Sequence, residues 1–163
     1  MKLKLLAILL CLASTILAQS DSASDYDPDA NHFIFSTGIS TQKQLWGEVG
    51  IIYGKTMIGS CDQIGLVGAK LGTEFNFTPS KFMIAPKIGF EYDFSLFGAR
   101  LNIIDYTNFT YHDIKFTPEI GLSLLGFVDI FYGYNFSISE KRIDNIATHR
   151  LTLTVNFDWW NNK

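Results

Sequence analysis

The sequence predicts an all-β fold, an eight-stranded antiparallel up-and-down β-barrel. Three observations predict it. From residue 32 onward apolar and polar residues alternate with a period of two, segment after segment, and no helical period interrupts them. Eight such segments can be placed, each of roughly 9–14 residues and joined mostly by short turns, as suits a closed up-and-down barrel. The stretches between them leave no residues for helices that could cover an open sheet, so the sheet must close on itself.

The elements follow in chain order. Residues 1–18 (MKLKLLAILLCLASTILA) carry two lysines, an apolar run too short to span a bilayer, and a small residue at Ala18. They read as a secretory signal peptide cut near Ala18–Gln19. Cys11 leaves with the signal, so Cys61 is the single remaining cysteine and the fold must hold without an intrachain disulfide. Residues 19–31 (QSDSASDYDPDAN) form a flexible acidic lead-in; they lack the glycine and distal glutamate of a calcium loop. The barrel domain is expected over 32–160, with strands at 32–40, 45–54, 64–77, 82–94, 97–107, 112–124, 128–139 and 149–159. The fourth strand alternates most clearly, with Phe82, Ile84, Ile88, Phe90, Tyr92 and Phe94 opposing Lys87, Glu91 and Asp93. In the last, Leu151, Leu153, Val155, Phe157 and Trp159 oppose Arg150, Thr152, Thr154, Asn156 and Asp158. Strands one and two are less pure, with Ile34, Trp46 and Ile52 on the polar face. Ser95-Leu96 and 125–127 read as tight turns; 55–63 and 139–148 read as longer connections.

Alternation does not say which face points inward; volume does. The apolar face carries about five large side chains per strand, too many for an eight-stranded lumen, which is just wide enough for side chains to fill. The polar face carries Gly38, Gly50, Gly54, Gly68, Gly72, Gly89, Gly121 and Gly133. Glycines weaken a strand on a solvent face, but in a crowded lumen they make room for Lys, Arg and Glu. The apolar face is therefore expected to point outward, toward lipid, which makes the barrel a transmembrane one. The alternative is a secreted soluble lipocalin-like barrel with the apolar face inside, binding a small apolar ligand. Aromatic residues sort to the two rims: Phe33, Tyr53, Tyr92, Phe94, Phe97, Phe157 and Trp159 at one, Phe75, Phe77, Phe82, Tyr106, Tyr134 and Phe136 at the other.

With these residues in place, the chain resembles the small eight-stranded outer-membrane β-barrel proteins of Gram-negative bacteria. The resemblance covers about 32–159. It rests on the architecture and on Leu153-x-Val155-x-Phe157, which is similar to the aromatic-ended signal read by the barrel-assembly machinery. The family usually ends on that aromatic and often has an earlier glycine; here 158–163 follow and no glycine is present. The resemblance implies a cell outer-membrane location, outer-membrane lipid around the wall, and the assembly machinery and periplasmic chaperones as partners in biogenesis. It leaves a specific surface partner unassigned.

Charge excludes another class. Lys2 and Lys4 leave with the signal, so 11 basic and 16 acidic residues remain, a net of −5, whereas a nucleic-acid binder needs a basic excess. The polar face holds Glu48, Lys70, Glu74, Lys87, Glu91, Asp93, Arg100, Lys115, Glu119 and Asp129. In a narrow lumen such groups must pair. If Ser95-Leu96 is a two-residue turn, Glu91 opposes Arg100; if Tyr106 pairs with Asp113, Arg100 also faces Glu119. The expected lumenal network is a chain Lys70–Glu91–Arg100–Glu119, with Glu74–Lys87 beside it. It plugs the barrel; a proton or ion path is the alternative use, and a wide pore is not expected. His32, His112 and His149 show no metal-ligand spacing, so no metal, cofactor or enzymatic role is expected. The enzyme alternative is lipid modification, for which Ser137 and His149 on the last two strands are the candidate pair.

Overall fold

The computed structural model describes residues 31–58, 64–78, 82–124, 126–139, 143–144 and 146–157. The expected signal peptide and nearly all of the acidic lead-in, together with Cys61 and Trp159, lie outside the described residues. The chain forms a closed barrel of eight antiparallel strands: β1 (His32–Gln42), β2 (Gln44–Ile58), β3 (Ile64–Asn76), β4 (Ile84–Phe94), β5 (Phe97–Thr107), β6 (His112–Leu124), β7 (Val128–Tyr134, continued past Asn135 by Phe136–Ser137) and β8 (His149–Phe157). Each strand pairs with its sequence neighbours, and β8 returns to β1 from Thr41↔Leu151 to Phe35↔Phe157, leaving no free edge.

Two connections are shorter than the sequence suggests. β2 continues to Ile58, paired with Ile64, so the expected long connection at 55–63 shrinks to five residues. β1 and β2 pair as far as Gln42↔Gln44, around Lys43 alone. The hairpin register at 94–97 is as the sequence predicts, with Phe94↔Phe97 and Glu91↔Arg100. Its first turn residue, Ser95, has φ 57°. An L-residue held there costs about 1–2 kcal/mol, against about 0.5–1 kcal/mol of extra chain entropy for glycine. Ser95→Gly should therefore raise stability by about 0.5 kcal/mol, read as a small upward shift of the denaturation midpoint.

The apolar residues stand on the outer wall. Ile88 is 59 % exposed and Ile120 69 %, whereas Thr154 and Thr152 on the alternate positions are fully buried. Aromatic rings pair along both rims of that wall, Phe33 with Tyr53 at 4.9 Å between centroids and Tyr134 with Phe136 at 4.4 Å. Tyr106 departs from the expected girdle. It shares the parity of Arg100 and Ile104, points inward, and is fully buried with its ring edge-on to Trp46.

The lumen is layered. At the end where β1 begins, Ile34, Ile52 and Leu66 form a small apolar plug. At the opposite end Trp46, Met83, Ala85, Ile104, Tyr106 and Ile146 form a larger one, with Ile143 packed against it. The inward apolar residues that made strands one and two look impure are thus the stoppers of the barrel. Between the two plugs lies the charged layer.

Candidate functional site: the charged lumen

Among the described residues, seven acids and five cations are buried within the barrel: Glu48, Glu74, Glu91, Asp93, Asp113, Glu119 and Asp129 against Lys70, Lys87, Arg100, Lys115 and Arg150. All lie on inward positions of strands β2 to β8, placed there by the period of two.

The middle of the layer is an alternating ladder of ion pairs. Lys70 Nζ sits 3.0 Å from Glu48 and 3.2 Å from Glu91, and also donates to Ser36 Oγ. Lys87 Nζ sits 2.6 Å from Glu48 and 3.2 Å from Glu74. Arg100 Nη2 donates to Glu91 at 2.6 Å, to Asp129 at 3.0 Å and to Thr154 Oγ1 at 2.8 Å, while its guanidinium carbon lies 3.8 Å from the centre of the Phe131 ring. Arg150 closes the other side. Its Nη2 donates to Glu74 at 2.7 Å, its Nε lies 3.1 Å from Glu119, and its Nη1 donates to the Tyr106 hydroxyl.

The sequence places Lys70, Glu91 and Arg100 together, and Glu74 with Lys87; the structure has all three ion pairs. The expected Arg100–Glu119 contact is different. Arg100 and Glu119 are cross-strand partners. Yet the Arg100 guanidinium turns to Asp129 on β7, and Glu119 is held by Arg150, Thr152 and Asn102. Backbone register fixes which residues are opposite, but a long side chain in a narrow lumen reaches across to strands that do not adjoin its own. Arg150 and Asp113 are absent from the expected set of inward charges, although the alternation of β8 puts Arg150 on the inward face, and Glu48 and Asp129 belong to that set but not to the expected chain of pairs. Gly133 leaves Arg150 room: a Cβ there would meet Glu119 Cγ at 2.7 Å and Arg150 Cγ at 3.0 Å.

Asp113 has a separate role at the plugged end, level with its cross-strand partner Tyr106. It pairs with Lys115 at 3.0 Å and accepts from Ser137 Oγ, Ser139 Oγ and the Ile143 backbone N–H, which ties the connection after β7 to the barrel wall. Ser137 is thereby committed to Asp113, while His149 Nδ1 lies 2.6 Å from the Tyr132 hydroxyl on the outer wall. The two are not brought together as a nucleophile and its base. His112 meets Asp105 at 2.9 Å at the surface.

No family model, curated protein or solved structure matches the chain.

Proposed function

We propose that the chain is an integral outer-membrane β-barrel protein with a structural or surface-interaction role, its lumen closed by the charged network between two apolar plugs. One observation carries the reading: the barrel is inverted relative to a soluble one, with charge inside and a continuous apolar wall outside. Exposed apolar patches on soluble monomers rarely exceed a few hundred Å², whereas this wall runs around the barrel. Lipid is the medium such a wall matches, and paired aromatic rings at both rims match its two interfaces. The space a lipocalin-like barrel would give to an apolar ligand is filled here by Glu48, Lys70, Lys87, Arg100 and Arg150. A packed lumen also favours a structural role over conduction.

Membrane fractionation of the expressing cell, with gel migration before and after boiling, tests this. Detergent-dependent extraction and a heat-modifiable band are expected; a soluble, heat-indifferent chain would overturn the reading. A substitution pair refines it. Ile88→Arg near mid-strand should cost about 2–4 kcal/mol of folding into bilayers. Thr154→Arg, inside the lumen, should act through crowding and pairing, so that its penalty does not change with bilayer thickness. A negligible penalty at Ile88 would count against lipid on that face.

A further inference from the structure

Between the Arg100 hub and the Ile34–Ile52–Leu66 plug, the lumen holds more negative charge than its cations can match. Glu91 and Asp93 are two apart on β4 and point the same way; Asp129 reaches them from β7. One carboxylate oxygen from each lies within 4.8 Å of the others, and all three residues are buried. Arg100 and Lys70 serve Glu91, and Arg100, Thr154 and Asn156 serve Oδ2 of Asp129. Asp93 is fully buried, and neither of its oxygens makes a hydrogen bond; nor does Oδ1 of Asp129. Space has been kept for this convergence: a Cβ at Gly98 would stand 2.3 Å from Asp93 Oδ1.

We infer that Glu91, Asp93 and Asp129 form a lumenal site for a hard divalent cation of the calcium type. Asp93 brings two oxygens without a donor and Asp129 one to a cluster that Glu91 completes, and a single proton, which bridges one oxygen to one other, would satisfy only part of that set. Calcium binds oxygens at about 2.3–2.6 Å, so ligands on one ion stand at most roughly 5 Å apart, and the oxygens of this cluster all fall within that limit. One divalent ion also offsets the excess of seven buried acids over five cations. Histidine and cysteine spacing gives no sign of this site, because its ligands are carboxylates that the barrel brings together from β4 and β7. The inference concerns the lumen and stands whichever medium surrounds the wall.

The mature chain, folded in detergent with calcium chloride and then desalted, should retain about one calcium per chain by atomic emission. Asp93→Asn should retain at least ~10-fold less, and a chelator should lower the unfolding temperature of the native chain but not of the variant. Should Asp93→Asn fail to fold, Asp129→Asn replaces it. An infrared spectrum of the native chain decides without any variant. Carboxylate bands shifted by calcium support the site; a protonated-carboxyl stretch at full intensity in calcium overturns it, as does a native chain that retains no calcium.

Discussion

Arg100→Leu should destabilise the barrel by about 3–5 kcal/mol, the cost of breaking a buried pair by removing one partner. The substitution keeps Glu91 and Asp129 in a lumen stoppered by apolar residues, where water cannot take over from the guanidinium. Lys70 still reaches Glu91, and Asn156 still reaches Asp129, so the loss is not the whole interaction. Urea-induced unfolding from lipid vesicles would read it as a lower midpoint with little change in slope. A control separates stranded charge from lost packing on Phe131. Replacing Arg100, Glu91 and Asp129 together by apolar residues should recover much of the loss, because a fully apolar replacement leaves no unpaired ion. If the triple variant is no better than Arg100→Leu, the guanidinium acts mainly through the ring contact.

Arg150→Leu should cost a comparable amount, about 3–5 kcal/mol, with a different pattern of rescue. Glu74 keeps Lys87. Glu119 keeps only the neutral donors Thr152 and Asn102, and the Tyr106 hydroxyl loses its charged donor. The penalty is therefore set by Glu119, and adding Glu119→Gln to Arg150→Leu should return a large part of it. Arg150→Lys should fall between, since one ammonium cannot span Glu74, Glu119 and Tyr106 as a planar fork does. A double-mutant cycle across Arg150 and Glu119 measures the coupling directly; a coupling near zero would show that Glu119 is satisfied without its cation.

The sequence carried the fold to an unusual degree because strand parity is a rigid rule. One secure turn, Ser95-Leu96, set Glu91 opposite Arg100, and parity propagated from there to β6. Parity also puts Arg150 on the inward face of β8, although the expected network did not include it. Parity could not say where the inward charges reach. The choice of Asp129 over Glu119 by Arg100 is made across the lumen, where Gly133 leaves room for Arg150 beside Glu119. Tyr106 misled for a related reason. Aromatic residues near a strand end suggest a girdle, but its parity matched Arg100, and the inward position gave its hydroxyl Arg150 and Gln42 as partners.

The seam between β1 and β8 has a consequence for the speed of assembly. Glu74 and Arg150 are 76 residues apart in the chain, and Gln42 and Asn135 are 93 apart. Neither contact can form until the first and last strands meet, so hairpins that assemble early carry unmatched ions on their inner face. Local pairing is quick, but its electrostatic reward arrives only when the ring shuts. Chains dominated by such distant pairings fold slowly, on millisecond to second scales or longer. The same arrangement works in reverse: opening the seam would expose every ion of the layer at once, so departure from the native state should be rare and all-or-none, and the folded barrel should outlast what its equilibrium stability alone suggests.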